Sequence, residues 1–136
     1  EVDTNTMKDF SENIIYKYSS LQHYPIISIS VKENKRVRNV LSECLKVFNE
    51  KSKKIKTSQM NLWLSKVIAQ NPPPSVKGKN LKIKFVSQIR QNPPLFVFYT
   101  NFPNLFPISY KRYLENQIRS EFGFKGVSIK ISFREK

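Results

Sequence analysis

The pattern of apolar and polar residues predicts a β-hairpin in the middle of the chain. Apolar and polar residues alternate over positions 81–90, and alternation with period two puts the two sets on opposite faces of a strand. Positions 95–100 form an unbroken β-branched and aromatic run, as expected of a strand with little solvent on either side. Pro93 and Pro94 cannot donate to a ladder, so the reversal falls there. The first strand is predicted to have an apolar core face of Leu81, Ile83, Phe85, Ser87 and Ile89.

Helical periodicity predicts the elements on either side of this hairpin. Apolar residues at steps of three and four predict helices over positions 6–21, 35–51, 57–70 and 109–122. Gly123 can end the last of them. A short strand is predicted at 26–30, a final alternating strand at 127–134, and loops at 75–80 and 101–107.

The order of these elements divides the chain into two predicted domains. From position 52 the order α-β-β-α-β predicts an α+β domain with a three-stranded sheet and helices on one face. Residues 1–51 read as helix, strand and helix, which is half of an α/β repeat without the sheet that it needs. The missing initiator Met suggests that the chain is an excerpt from a longer protein.

Composition favours a polyanionic partner. The 136 residues include 24 Lys and Arg against 10 Asp and Glu, which gives a formal net charge of +14 and a pI near 10.0. The alternative is a lysine-rich composition inherited from a biased genome. No apolar run is long enough to span a membrane, and the N-terminus lacks the profile of a signal peptide.

Catalytic and metal chemistry is not predicted. Cys44 is the only cysteine and is expected to be a buried, inert thiol on a helical apolar face with Val40, Leu41 and Phe48. The lone His23 has no second imidazole with which to form a metal site. No nucleophile–base pair or carboxylate dyad emerges from the sequence.

The strongest candidate site is the basic face of the predicted sheet. No acidic residue lies among the alternating positions that form it, which favours phosphates over a merely solvated face or an acidic protein partner. Arg112 and Arg119 of the last helix are weaker candidates, because Glu115 sits one turn away and can pair with them. The candidate RNA-binding residues are Lys79, Lys82, Lys84, Arg90, Arg112, Arg119, Lys130 and Arg134.

Many spaced motifs occur over positions 57–136. They are Thr57-Ser58, Met60-Asn61, Pro72-Pro73-Pro74, Gly78-Lys79, Lys84-Phe85, Gln88, Asn92-Pro93-Pro94, Phe96-Val97, Asn101, Ser109-Tyr110-Lys111-Arg112-Tyr113-Leu114-Glu115-Asn116, Arg119, Phe122-Gly123-Phe124 and Gly126. In this register they closely resemble the C-terminal KH-like domain of the Der (EngA) ribosome-assembly GTPases. Upstream, positions 24–31 look like the end of the family's second GTPase domain.

The resemblance implies a KH-like domain, preceded by an α-β-α remnant of a P-loop GTPase domain. It also implies a role in maturation of the large ribosomal subunit, with ribosomal RNA and the adjacent GTPase domains of the same chain as partners. GTP and Mg would be cofactors of the full-length protein only. By analogy the location is a bacterial cytoplasm or an organelle with bacterial-type ribosomes.

Two departures from the family pattern concern the nucleotide. Ser30, Val31 and Lys32 lie where the family closes over the guanine base, but Val31 replaces the usual alanine. No Gly-rich Walker A loop occurs anywhere in the chain, so the chain as supplied is not expected to hydrolyse GTP.

Three functions from different classes follow from these observations. The favoured one is an RNA-binding module that contacts phosphates through Lys and Arg with little base reading. Aromatic residues such as Phe96, Phe98 and Tyr99 can stack on bases, but most fall on apolar stripes, so core packing is expected of them. The alternative is a protein-interaction module that docks on a neighbouring GTPase domain and relays its nucleotide state. An enzyme in its own right is disfavoured.

Overall fold

The computed structural model describes residues 4–135 and contains α-helices, two short 3₁₀ helices and five strands. The α-helices are α1 (Thr4–Lys17), α2 (Val37–Lys51), α3 (Thr57–Gln70) and α4 (Ile108–Phe122). The 3₁₀ helices are Ser19–His23 and Pro103–Leu105. The strands are β1 (Ser75–Val76), β2 (Lys79–Asn80), β3 (Ile83–Arg90), β4 (Leu95–Thr100) and β5 (Lys130–Glu135).

The described residues fall into two compact units. The first contains residues up to 50 together with 125–127, and the second contains 51–124 and the residues from 128 onward.

The first unit contains α1, α2 and the segment between them, and the strand predicted at 26–30 does not form. Residues 25–29 have no strand partner, and Ser30 makes only an isolated bridge with Lys35. The physical reason is that an extended segment becomes a strand only when another strand takes up its backbone groups. The described part of the first unit is therefore helical, with an extended segment in place of the predicted strand.

The apolar stripe of α2 is exposed, contrary to the prediction that it points inward. Leu41, Leu45 and Phe48 are 69%, 65% and 64% exposed, and Cys44 is exposed as well. No side chain of residues 5–50 is buried. The expectation of a buried Cys44 thiol was wrong, because the described part of this unit contains no sheet against which the stripe can pack.

The second unit is the predicted α+β domain, with a core between its helices and one face of a three-stranded sheet. The strand order is β3-β4-β5, with β3 antiparallel and β5 parallel to the central β4. The Trp63 ring of α3 lies 5.6 Å from Phe122 of α4 and 6.5 Å from Phe98 of β4, measured between ring centroids. The fully buried side chains of this core include Met60, Val86, Phe96, Phe98, Leu114, Ile118 and Phe124. The KH-like architecture is thus confirmed.

The pairing of β3 with β4 corrects the predicted core face. The register shifts by one residue between Ile83 and Phe85, and again between Gln88 and Arg90. Val86 pairs with Phe98 and is fully buried, whereas Phe85 lies on the other face and stacks on Tyr99. An extra residue in one strand reverses the side-chain parity beyond it. The prediction that Phe85, Ser87 and Ile89 face the core was therefore wrong.

Candidate nucleic-acid interface

The face of the sheet opposite the helices, here called the open face, is formed by three rows of side chains that run across β3, β4 and β5. Paired residues on neighbouring strands share a face, and every second residue along a strand returns to it. The first row is Phe85, Tyr99 and Arg134, the second is Ser87, Val97 and Ser132, and the third is Arg90, Leu95 and Lys130. Val97, at the centre of the face, is fully buried, and the cations around it are exposed.

The parallel strand β5 places two predicted cations on the open face. Lys130 pairs with Leu95 and Arg134 pairs with Tyr99, and both cationic side chains are exposed. The backbone N–H of Lys130 donates to the carbonyl of Pro94 at 2.9 Å, which attaches the start of β5 to the hairpin corner. Neither Lys130 nor Arg134 has a carboxylate partner among the described residues, so both charges are available to a ligand.

The edge strand β3 adds two more predicted cations to the open face. Lys82 precedes Ile83, which pairs with Thr100 on the helix-covered face, so alternation directs Lys82 to the open face. Arg90 lies on the same face because it pairs with Leu95 beyond the second register shift, and its Nε donates weakly to the Pro93 carbonyl at 3.4 Å. Lys84 is exposed and lies at the first register shift, where it has no register partner to fix its face. The predicted basic face thus keeps Lys82 and Arg90, while Phe85 and Ser87 replace Val86 and Gln88 on it.

The electrostatics of the open face are of one sign. No Asp or Glu occupies a register position on it in the described part of the sheet, and Glu135 has the opposite parity because it pairs with Thr100. Cations spread over a surface without carboxylates attract a polyanion and repel one another when none is bound. The face can therefore hold several phosphates of one chain.

Lys79 lies apart from these rows, on a small hairpin where a loop was predicted. Strands β1 and β2 pair through two residues each, and the positive φ angles of Lys77 (50°) and Gly78 (73°) make the tight turn. The ammonium group of Lys79 lies 4.6 Å from the centroid of the Phe102 ring. This cation–π contact orients Lys79 while its side chain stays exposed.

Arg112 and Arg119 both lie on α4, but only Arg112 is exposed. Arg119 has a side chain only 10% exposed, with Nη2 3.0 Å from Oε1 of Glu115 and Nη1 donating to the Phe124 carbonyl at 2.9 Å. The expected pairing with Glu115 is confirmed for Arg119. Because its guanidinium holds the end of α4 and the segment after it, we leave Arg119 out of the proposed surface.

The three nucleotide-binding candidates lie in a tight turn of the first unit. The Ser30 N–H donates to the Lys35 carbonyl at 3.1 Å, and the Ser30 Oγ accepts from the Glu33 N–H at 3.3 Å. Val31 is 79% exposed. No cluster of His, Cys, Asp or Glu suited to a metal ion occurs among residues 4–135. No step of the proposed function uses GTP or Mg.

Two aromatic residues of the open face, Phe85 and Tyr99, were predicted from the sequence to lie in the core. Phe85 was placed in the core by parity, and Tyr99 by the default that aromatic runs are buried. Their rings stack with centroids 4.3 Å apart and an interplanar angle of 17°, and both side chains are partly exposed. No residue of β3 indicated this change of face in the sequence. Gln88 lies on the helix-covered face, where its Oε1 accepts from the Ile55 N–H and its Nε2 donates to the Lys53 carbonyl.

Membrane insertion receives no support from the helices. None of those in the described range combines the length and the apolar character needed to cross a bilayer.

Comparison with known proteins places this architecture in a family. Residues 54–134, more than half of the chain, match the family described as KH-domain-like of EngA bacterial GTPase enzymes, C-terminal. The chain is 43% identical over 136 residues to a GTPase Der of Finegoldia magna, covering 100% of this chain and 31% of that protein. It is 44% identical over 134 residues to one of Christiangramia forsetii and 37% identical to one of Amoebophilus asiaticus, in both cases covering 98% of this chain and 31% of the relative. The chain therefore belongs to the Der (EngA) family of bacterial GTPases, and it contains their C-terminal KH-like domain.

Proposed function

We propose that this chain is the RNA-binding module of a GTPase that acts in assembly of the large ribosomal subunit, and that its open face contacts ribosomal RNA. The observation that carries the proposal is the concentration of cations on one face of the sheet without a carboxylate among them. They are Lys82, Arg90, Lys130 and Arg134, and the exposed Lys84 lies beside them at the first register shift. Family membership supports it, since relatives named GTPase Der match the whole length of this chain.

Phosphate contacts account for this arrangement better than a solvated surface does. A solvated sheet face gains stability by mixing charges of both signs, because like charges in proximity repel one another. Contacts to phosphates supply affinity that depends on charge and ionic strength. They carry little information about the nucleotide sequence. The proposed module therefore positions the protein on RNA, and nucleotide hydrolysis belongs to other parts of the GTPase.

The test is RNA affinity over a series of salt concentrations. Changing Lys82, Lys84, Lys130 and Arg134 together to Glu should weaken binding to a ribosomal RNA fragment and make the slope of log K against log salt shallower. The matched control changes four exposed lysines of the same unit by the same charge: Lys54, Lys56, Lys66 and Lys111. The control should retain most of the affinity, since these lysines lie off the open face.

Two results would count against the proposal. If the open-face variant binds RNA like the wild type, the surface lies elsewhere and docking on a neighbouring GTPase domain becomes the better interpretation. If both variants lose affinity equally, the effect comes from net charge and not from this face.

A further inference from the structure

We propose that Tyr99 stacks on an unpaired base, so that the open face selects single-stranded RNA and does more than hold phosphates. This inference rests on the proposed function and names the class of RNA that the face takes. Tyr99 belongs to the central strand and stands in the row that ends at Arg134. From sequence, Tyr99 was one of several aromatic residues that could stack on bases, and core packing was expected of it by default.

The geometry of the aromatic pair leaves one face of the Tyr99 ring that Phe85 does not cover. Phe85 and Tyr99 are register partners on neighbouring strands, and their nearly parallel rings stack at 4.3 Å. Because Phe85 stacks on one face of the Tyr99 ring, a base can stack only on the other face. Arg134 is the register partner of Tyr99 on β5, so a base stacked on Tyr99 would lie next to the strand position that carries this cation. Aromatic rings and arginine side chains are both recognised contacts of unpaired bases.

The pair differs from the other close parallel stack of the second unit in the face of the sheet to which it belongs. Phe106 and Phe133 stack equally closely, at 4.3 Å and 16°, and are also partly exposed, but Phe133 pairs with Phe98 on the helix-covered face. Trp63 with Phe98, and Phe96 with Phe124, join helices and loops to the helix-covered face, and Phe96, Phe98 and Phe124 are fully buried. Phe85 and Tyr99 lie on the opposite face and remain partly exposed. A partly exposed aromatic stack on a face otherwise rich in cations lies outside the helix–sheet core, and it suits a ligand that carries both phosphates and aromatic rings.

The remaining positions of the open face fit the backbone of such a strand. Lys130 and Arg134 are four residues apart on β5, which corresponds to about 13 Å along a strand. Ser132 lies between them on the same face, and its hydroxyl can donate to a phosphate or a ribose. A duplex could use these cations, but its bases are already stacked on one another, so Tyr99 would contribute nothing to duplex binding.

The experiment compares Tyr99→Leu with Tyr99→Phe. The probes are a short single-stranded oligoribonucleotide carrying one 2-aminopurine and a duplex of the same sequence. Tyr99→Leu should weaken single-strand binding about tenfold, in line with the typical contribution of one stacked base. It should leave duplex affinity and the salt slope unchanged, because no charge is removed. Tyr99→Phe keeps the ring and should bind like the wild type, and the wild type should quench 2-aminopurine fluorescence in the single strand only.

The outcomes separate this inference from the proposed function. If charge reversal on the open face weakens binding but Tyr99→Leu does not, base stacking is wrong and phosphate binding stands. If charge reversal has no effect, the proposed function fails first. Thermal unfolding checks that each variant is folded. If Tyr99→Leu does not fold, 2-aminopurine quenching by the wild-type protein decides alone, and quenching that is absent from the single strand would overturn the inference.

Discussion

The side-chain amide of Asn61 takes the place of a neighbouring strand for Val86. Oδ1 of Asn61 accepts from the Val86 N–H and Nδ2 donates to the Val86 carbonyl, both at 3.0 Å. Nδ2 also donates to the Thr57 carbonyl at 2.7 Å. Val86 is fully buried on an edge strand, where water cannot satisfy its backbone groups. The helix α3 thereby completes the edge of the sheet and is fixed against it.

Replacing Asn61 with Asp should destabilise the second unit. The change keeps the shape and one acceptor but removes the donor, so a carboxylate oxygen faces the carbonyls of Val86 and Thr57. We expect a loss of about 2–3 kcal/mol in the free energy of unfolding at pH 7, measured by urea denaturation. Near pH 4 protonation of the new carboxyl restores a donor, and part of the loss should be recovered.

The matched control for this prediction is Asn116→Asp, the same chemical change at an exposed position of α4. It should alter the free energy of unfolding by less than about 0.5 kcal/mol. An equal loss in the two variants would mean that the bidentate contact is not what stabilises the edge.

Thr100→Val should raise stability. Thr100 is fully buried at the end of β4, and its Oγ1 has no hydrogen-bond partner among the described residues. Valine has nearly the same shape and removes a hydroxyl whose burial without a hydrogen bond costs free energy. We therefore expect a gain of about 1 kcal/mol in the free energy of unfolding. Thr100→Ser keeps the hydroxyl and loses a methyl group, so it should be destabilising. A clear loss of stability in Thr100→Val would show that the hydroxyl is satisfied in solution.

Tyr110 should make the second unit sensitive to high pH. Burial, with a smaller contribution from the charge of Tyr113, raises the pKa of Tyr110 from 10.0 to about 12. Its hydroxyl donates to the Asn71 carbonyl at 2.9 Å and so links α4 to the end of α3. The unfolded chain releases this proton near pH 10 and the folded chain only near pH 12. Stability from this group is therefore complete below pH 10 and is lost as the pH rises toward 12.

Comparison with Tyr110→Phe isolates this effect. Urea denaturation between pH 9 and 11.5 should show the wild type losing stability faster than the variant, because lysine titration is common to both. The difference in free energy between the two proteins should be constant below about pH 9.5. Parallel profiles over the whole range would contradict the assignment.

Gly123→Ala should destabilise the end of α4. Gly123 has φ 88° and ψ −108°, a conformation that a Cβ atom disfavours, while its N–H donates to the Arg119 carbonyl at 3.0 Å. We expect a loss of about 1–3 kcal/mol in thermal or urea unfolding. Ser120→Ala, an exposed change in the same helical turn, should be close to neutral. A neutral Gly123→Ala would mean that the chain relaxes to another termination without cost.

Sequence alone was sufficient for the elements that local rules specify. The helix from Thr57, the reversal at Pro93 and Pro94, and the helix that ends at Gly123 all form where predicted, since proline, glycine and helical periodicity act within a few residues. The side on which Lys130 and Arg134 lie was also predictable, because β5 alternates without interruption. The candidate cations of the open face therefore came from sequence, although their binding of RNA stays a prediction.

Tertiary structure decided what depends on a partner strand or a partner layer. Strand alternation gave the wrong face for Phe85 and Ser87, because the register shifts against β4 reverse the side-chain parity of β3 between them. The sequence of β3 alone does not indicate which of its residues is left unpaired. The segment 26–30 has strand composition but no ladder, and the stripe of α2 has helical periodicity but no layer to cover it. Local propensity determines which elements a chain can form. Hydrogen bonding and burial between distant segments determine which of them form and which faces they bury.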